Sequence, residues 1–285
     1  MSAPMDLLTT PGAARVWSAG ARARGETIAV VPTMGALHAG HLALVERAKA
    51  EADRVVLTIF VNPLQFNQNA DFTAYPRPID DDLSVCRDKG VDAVYAPTVE
   101  VMYPASFQTH VEPGDLAARL EGPMRPGHFR GVTTVVLKLF AATQPDIALF
   151  GQKDYQQLAI IRQMVSDLDL GIDIVGAPII RESDGLALSS RNLRLTEHDR
   201  AQASVISRAL AHCLAAWAAG EHRTAVLTRA AIDMIAMSAR AHVEYVELVD
   251  PITLESIEDA SEGGVMLVAA WFGEVRLIDN QLLER

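Results

Sequence analysis

Short apolar runs rich in β-branched residues alternate with amphipathic helical patterns along the first part of the chain. Five runs are typical of buried strands: Thr27–Pro32, Val55–Val61, Ala93–Ala96, Asp146–Phe150 and Ile172–Ala177. Four segments between them have the apolar spacing of helices: His41–Ala52, Asp80–Lys89, Val132–Ala142 and Tyr155–Leu168. This alternation predicts an α/β fold, a doubly wound parallel sheet with helices on both faces and a ligand at the carboxyl ends of its strands.

The pattern changes after Asp184. Two helical patterns, Thr196–Ala219 and Arg223–Arg240, are followed by three strand-like runs at residues 243–250, 264–272 and 275–279. Helices followed by strands without alternation predict a smaller C-terminal α+β domain. We therefore expect two domains, residues 1–183 and 184–285.

Composition narrows the class of protein. Hydrophobic residues make up 49% and charged residues 21% of 285 residues, as in soluble globular proteins, and the net charge of −11 argues against a nucleic-acid partner. The N-terminus lacks the basic and apolar regions of a signal peptide, and no long apolar stretch follows, so we expect a cytoplasmic location and no membrane partner. Cys86 and Cys213 lie within helical patterns and are expected to be free, buried thiols.

A glycine-containing turn joins the first predicted strand to a helix. It includes Met34 and Gly35, and the helix opens with His38 and His41 on either side of Gly40. Such a junction presents free backbone N–H groups and the positive helix end to an anion, and the histidines can donate to phosphate oxygens. Three alternatives are zinc ligands, which lack a nearby third ligand, core histidines, and exposed turn residues.

Two further clusters could contact phosphates. The first, Gly151-Gln152-Lys153-Asp154, follows a buried strand; Lys153 is one of only four lysines, and Asp154 could cap the next helix or approach Mg²⁺. The second, Leu188-Ser189-Ser190-Arg191, lies in a glycine-led loop and could clamp phosphate oxygens. The alternative for the first cluster is an ordinary capped turn between a strand and a helix, with a surface lysine. The alternative for the second cluster is an ordinary turn.

Two polar stretches lie between these clusters. Gln65, after the second predicted strand, could hydrogen-bond a small hydroxy acid, and the Pro- and Gly-rich segment 125–131 is typical of a mobile cover. A plain loop is an equal alternative for each stretch.

Taken together, five segments carry a resemblance that covers almost the whole chain. PTMGALHAGH, FVNPLQF, RPGHFRGV, FGQKDYQQ and DGLALSSRN, in this order, closely resemble the pantothenate synthetase (pantoate–β-alanine ligase) family. The HxGH pattern alone is shared with many nucleotidyltransferases and with class I aminoacyl-tRNA synthetases. The resemblance implies a Rossmann-like ATP- and pantoate-binding domain with a C-terminal lid domain, assembled as a homodimer.

The implied reaction has two halves. Pantoate and MgATP give pantoyl-adenylate and pyrophosphate, and β-alanine then attacks to give pantothenate and AMP. The resemblance places ATP contacts at Met34, Gly35, His38, Gly40, His41, Gly151, Gln152, Lys153, Asp154, Ile180, Leu188, Ser189, Ser190 and Arg191. It implies that Gln65 and Gln157 hold pantoate and that Gln65 also lies beside β-alanine.

The catalytic set follows from the charge that develops during adenylation. His41 occupies the family's catalytic position, and the donors to the pentacoordinate α-phosphate are His38, His41, Lys153, Ser189, Ser190 and Arg191. No residue is predicted as a metal ligand. A nucleotidyltransferase making a dinucleotide or CDP-alcohol would call for more clustered Lys and Arg, and a synthetase fragment that binds RNA is disfavoured by the net charge of −11.

Overall fold

The structure, a computed structural model, describes residues 5–67 and 69–284, with the side chains of residues 69–71 left out. The chain divides into two compact units. The first comprises Met1–Gln152 and Gln156–Ala177, and the second comprises Lys153–Tyr155 and Pro178–Arg285. The assignment of a substrate-binding domain and a lid domain, divided after residue 183, stays a prediction.

A six-stranded, fully parallel sheet forms the centre of the first unit, in the order β1-β4-β3-β2-β5-β6. The strands are β1 Asp6–Leu8, β2 Ile28–Thr33, β3 Arg54–Ile59, β4 Ala93–Tyr95, β5 Ile147–Gly151 and β6 Asp173–Ala177. The doubly wound α/β prediction is confirmed, and all five predicted strands are present. The edge strand β1 was not predicted, because three residues are too few to show a period.

Helices cover both faces of this sheet. They are α1 Pro11–Ala23, α2 Ala39–Glu51, α3 Asn69–Ala74, α4 Ile79–Asp88, α5 Val99–Met102, α6 Glu121–Met124, α7 His128–Thr143 and α8 Tyr155–Asp167. Along β2, Ile28 and Val30 belong to one apolar core and Ala29 and Val31 to the other. Burial on both faces explains why the strands read as continuous apolar runs.

The strand order reverses between β2 and β5. From β2 the chain proceeds to β3 and β4 on one side, whereas from β5 it proceeds to β6 on the other. In doubly wound sheets, ligands bind at the carboxyl ends of the strands beside such a switch point. The segments that leave β2 and β5 therefore occupy the expected ligand position of the first unit.

The second unit has three main helices and an antiparallel sheet in the order β7-β8-β9. They are α9 Glu197–Ala203, α10 Val205–Ala218, α11 Thr224–Ala236, β7 Ala241–Val249, β8 Gly264–Phe272 and β9 Val275–Leu283. The predicted α+β organisation is confirmed. The single helical pattern predicted at 196–219 is two helices, with Ser204 as the C-cap residue of α9 and the residue before α10.

Both cysteines are free and buried, as predicted. Burial raises the pKa of the Cys86 and Cys213 thiols to about 11 each, so both are protonated at neutral pH. Across the described residues, no helix combines the length and apolar character needed to span a bilayer.

Candidate active site

The turn after β2 is held in an unusual backbone conformation. Gly35 and Ala36 have φ of +80° and +52°. A Cβ on Gly35 would lie 2.8 Å from an Asp82 oxygen and 3.1 Å from Ile59 Cγ2, and the Gly35 N–H donates to Thr33 Oγ1 at 3.1 Å. Glycine at this position is therefore required both by φ and by close packing.

Asp82, in the first turn of α4, holds the other side of this turn. Its buried carboxylate accepts from Ala36 N and Leu37 N, each at 2.8 Å. Asp82 was not among the predicted site residues, because an aspartate after Asp80 and Asp81 at a helix start is typical of a favourable charge near the helix N-terminus.

The expectation of free N–H groups in this turn was wrong for most of it. Besides the bonds to Asp82 and Thr33, His38 N donates to His41 Nδ1 at 3.3 Å and Gly40 N donates to His38 Nδ1 at 3.1 Å. Within the described part of the chain, the N–H of Ala39 has no hydrogen-bond partner. The first unit therefore offers a phosphate few main-chain donors from this turn.

His38 and His41 cap the start of α2 and stack on each other, with ring centroids 4.0 Å apart. Each Nδ1 accepts a backbone N–H, and an accepting imidazole nitrogen carries no proton. We therefore infer that Nε2 carries the proton in both rings. The pair presents two imidazole N–H groups at a helix N-terminus beside the switch point.

Gly40 makes this stacking possible. A Cβ on Gly40 would lie 2.9 Å from His38 Cε1 and 3.0 Å from His38 Nδ1. The glycine between the histidines thus leaves room for the His38 ring, and its predicted contact with ATP stays a prediction. In the described residues, no group of three or more His, Cys, Asp or Glu side chains is arranged to hold a metal ion.

Gln65 lies after β3, where its amide is oriented by a buried neighbour. Asn62 Nδ2 donates to Gln65 Oε1 at 3.1 Å and to the Gly131 carbonyl at 3.0 Å. Gln65 Nε2 lies 3.0 Å from Met34 Sδ. Two predicted site residues are therefore in contact, and the Nε2 group of Gln65 is the one turned toward Met34.

The segment 125–131 was predicted to be a mobile cover or a plain loop, but its last four residues belong to a helix. Helix α7 begins at His128, four residues before the predicted start, after the left-handed Gly127. A Cβ on Gly131 would lie 2.3 Å from the Leu64 carbonyl oxygen, and His128 Nδ1 lies 2.8 Å from the Gln65 carbonyl oxygen. Close packing of α7 thus fixes the turn that carries Gln65.

The residues after β5 lie on the other side of the switch point. Gly151 ends β5, and residues 152–154 form a single 3₁₀ turn before α8. On α8, buried Gln156 accepts from Glu121 N at 3.0 Å and donates to the Leu116 carbonyl at 2.7 Å. The side-chain amide of half-buried Gln157 makes no hydrogen bond with the residues described.

In the second unit, three of the predicted phosphate-binding residues line one small pocket: Lys153, Ser189 and Arg191. Lys153 is mostly buried, and its Nζ lies 3.9 Å from the Asp154 carboxylate. Ser189 Oγ accepts from Arg191 N at 3.2 Å and so caps the 3₁₀ turn that starts at Ser190. The structure therefore brings two distant sequence motifs together in this unit.

Ile180 and Leu188 are paired through their backbones, since Leu188 N donates to the Ile180 carbonyl at 2.9 Å. An ion pair that was not predicted from the sequence anchors the segment 180–188: Arg181 donates to the carboxylate of buried Asp279 at 2.6 and 3.0 Å. The two residues are 98 positions apart, so no local signal links them.

The predicted ATP contacts thus fall into two sets, one in each unit. Residues 34–41 and 151–152 belong to the first unit, and residues 153–154, 180 and 188–191 belong to the second. The predicted pantoate residues Gln65 and Gln157 both belong to the first unit.

Comparisons with known proteins agree over almost the entire chain. The family model described as pantoate-beta-alanine ligase matches residues 6–282. A relative from Acidobacterium capsulatum named pantothenate synthetase is 51% identical over 267 residues, 92% of this chain and 89% of the relative. One of the same name from Moorella thermoacetica is 48% identical over 280 residues, 98% of this chain and 99% of the relative.

Solved structures give the same result. A pantothenate synthetase from Thermus thermophilus superposes with a TM-score of 0.92 at 43% identity, covering 99% of this chain and 100% of that one. A pantoate-beta-alanine ligase from Francisella tularensis, complexed with Beta-gamma ATP and Beta-alanine, gives a TM-score of 0.78 at 33% identity, covering 99% of each chain. The chain therefore belongs to the pantoate–β-alanine ligase family of enzymes.

Proposed function

We propose that the chain catalyses the ATP-dependent condensation of (R)-pantoate with β-alanine to pantothenate through a pantoyl-adenylate, releasing pyrophosphate and AMP. Family membership over residues 6–282 supports the overall reaction. The Francisella tularensis relative, described as complexed with Beta-gamma ATP and Beta-alanine, supports these two molecules as substrates.

The observation that carries the proposal is the histidine pair at the start of α2. In the first half-reaction, a pantoate carboxylate oxygen bonds to the α-phosphorus of ATP, and the bond from that phosphorus to the bridging oxygen of pyrophosphate breaks. Negative charge grows on the α-phosphate oxygens in the transition state. His38 and His41 donate Nε2–H bonds to these oxygens, with Met34, Gly35 and Gly40 shaping the surrounding turn.

The second unit supplies the remaining donors in this proposal. The residues that contact phosphate oxygens are Lys153, Ser189, Ser190 and Arg191. Three of them, Lys153, Ser189 and Arg191, line one pocket, which supports their binding of the same ligand. Gly151, Gln152 and Leu188 contribute through the backbone, and Ile180 contacts the adenine.

Gln65 and Gln157 bind pantoate in this scheme. The Asn62 amide occupies Gln65 Oε1 and one Nε2 hydrogen is directed at Met34 Sδ, so Gln65 offers its other Nε2 hydrogen to the carboxylate or hydroxyl oxygens of the acid. In the second half-reaction the β-alanine nitrogen bonds to the pantoyl carbonyl carbon, the bond to AMP breaks, and the amine loses a proton.

Mg²⁺ accompanies ATP, and one carboxylate here fits it. Mg²⁺ prefers oxygen ligands and is usually bound through one or two carboxylates together with substrate phosphates. The Asp154 carboxylate lies beside Lys153, so it would hold the ion next to the phosphates. When bound, Mg²⁺ neutralises part of the charge of the pyrophosphate leaving group.

The proposal is tested by exchange of labelled pyrophosphate into ATP. We expect exchange with pantoate and Mg²⁺ in the absence of β-alanine, and none when pantoate is omitted. Exchange that requires β-alanine, in a protein with normal overall turnover, would show that the intermediate does not form independently of the amine. Failure to form pantothenate at all would reject the function itself.

A homodimer and a cytoplasmic location belong to the same proposal, on family resemblance. Light scattering should return twice the 30.8 kDa mass of one chain. A particle of the single-chain mass at micromolar concentration contradicts the dimer.

A further inference from the structure

Asp82 is the only side chain among the described residues whose carboxylate accepts from two backbone N–H groups of the turn after β2. Ala36 N and Leu37 N each donate to it at 2.8 Å, one to each oxygen. Asp82 is 3% exposed. Both oxygens of this buried carboxylate are thus bonded to the backbone of the turn.

The conformation of the turn needs such support. Ala36 has a φ of +52°, which is unfavourable for a residue with a Cβ, and it follows Gly35 at +80°. Strained residues persist only where their surroundings hold them. Asp82 bonds Ala36 itself and the residue after it, and so it holds the strained point directly.

These bonds also decide which donors remain for ATP. The N–H groups of Ala36 and Leu37 are committed to Asp82, and those of His38 and Gly40 to the two imidazoles. Among the described residues, the N–H of Ala39 is then the one backbone donor of residues 35–40 that makes no hydrogen bond.

We propose that Asp82 is a positioning residue for the adenylation step. Its carboxylate fixes residues 35–37 in the left-handed turn that places His38 and His41 at the α-phosphate. The inference rests on the proposed function, because it takes residues 34–41 as the ATP-binding segment.

Asp82→Asn tests this directly, with Asp81→Asn as the matched control. Both changes remove one negative charge from the first turn of α4, but Asp81 is exposed. In Asp82→Asn, an NH₂ group faces one of the two backbone N–H groups. We expect kcat/KM for ATP in pyrophosphate exchange, per folded molecule, to fall at least tenfold in Asp82→Asn and less than twofold in Asp81→Asn.

Ala36→Gly provides the rescue. Glycine adopts positive φ without support, so Ala36→Gly in the Asp82→Asn background should recover kcat/KM at least threefold. A residue that only stabilised the fold would change the fraction of folded protein and leave kcat/KM per folded molecule at the level of Asp81→Asn. That result overturns the inference, as does a failure of Ala36→Gly to restore any activity.

A measurement on the wild-type chain covers the case in which Asp82→Asn does not fold. The amide protons of Ala36 and Leu37 should exchange with solvent at least tenfold more slowly than that of Ala39. Equal rates contradict the inference. Absence of pyrophosphate exchange in the wild type rejects the proposed function, whereas an active wild type with equal Asp82→Asn and Asp81→Asn variants rejects the role of Asp82 alone.

Discussion

Gly40→Ala should disable adenylation while leaving the fold intact. The added Cβ would lie 2.9 Å from His38 Cε1, short of the 3.4 Å at which ordinary contact begins, so the ring must move by about half an ångström. The movement breaks the 3.1 Å bond from Gly40 N to His38 Nδ1 and displaces the Nε2–H donor.

The two consequences differ in size. Loss of a helix N-cap costs about 1 kcal/mol, and the higher helix propensity of alanine offsets up to about 1 kcal/mol of it. Loss of one transition-state donor lowers the rate by roughly 10²- to 10³-fold, or about 3–4 kcal/mol. We therefore expect a change in unfolding free energy within about 1 kcal/mol and a rate of pyrophosphate exchange at least ~10²-fold lower.

Gly20→Ala is the matched control, since its Cβ in α1 would meet Arg24 Nη1 at an ordinary 3.6 Å. It should stabilise the protein by up to about 1 kcal/mol without affecting exchange. Urea unfolding measures the stability of each variant, and pyrophosphate exchange measures its adenylation activity.

If Gly40 acts through His38, adding Gly40→Ala to His38→Ala should cause little further loss of exchange activity. Exchange by Gly40→Ala within threefold of wild type, or effects that multiply in the double variant, would refute the reasoning.

Three further predictions concern other residues. His41→Ala should lower adenylation by about 10²- to 10³-fold with unchanged urea unfolding, and near-normal exchange would remove His41 from the mechanism. Lys153→Ala should depress pyrophosphate exchange and overall turnover by the same factor, because a phosphate contact serves the first half-reaction; a selective loss of the second half contradicts this. Hydrogen bonds from Arg54 and then Arg24 lower the pKa of Glu26 from 4.5 to about 2, so its contribution to stability is present above pH 4.5 and is lost as the pH falls toward 2. Glu26→Gln should lower the melting temperature at pH 7 and flatten its dependence between pH 4.5 and 2; an unchanged melting curve argues against the pairing.

Much of the fold could be predicted because its signals are local. The five apolar strands of the parallel sheet and the helices α2, α4, α7 and α8 follow from hydrophobic periodicity. Errors arose where local signals are weak. Strand β1 has three residues, the break at Ser204 lies inside a continuous apolar pattern, and Pro126-Gly127 concealed the early start of α7.

The sequence alone indicated three motifs and the family: the turn after β2, the lysine after β5 and the Ser-Ser-Arg loop. It did not indicate which atoms of these motifs are available to a ligand. The bonds from Ala36 and Leu37 to Asp82 span 46 and 45 positions, and Arg181 meets Asp279 across 98. Gln156 and Gln157 are adjacent in the sequence, yet only the packing shows that the Gln156 side chain bonds to Glu121 N and the Leu116 carbonyl, whereas the Gln157 amide bonds to none of the described residues.

Sequence alone thus determined the alternation of strands and helices, the position of glycine at the turns and the chemistry of the donors, since each depends on neighbouring residues. Tertiary structure decided the direction of each donor, because a backbone N–H or side-chain amide bonds to whatever acceptor the packing of distant elements brings within about 3 Å. In this chain Asp82 and the two imidazoles take most of the main-chain donors of the turn after β2.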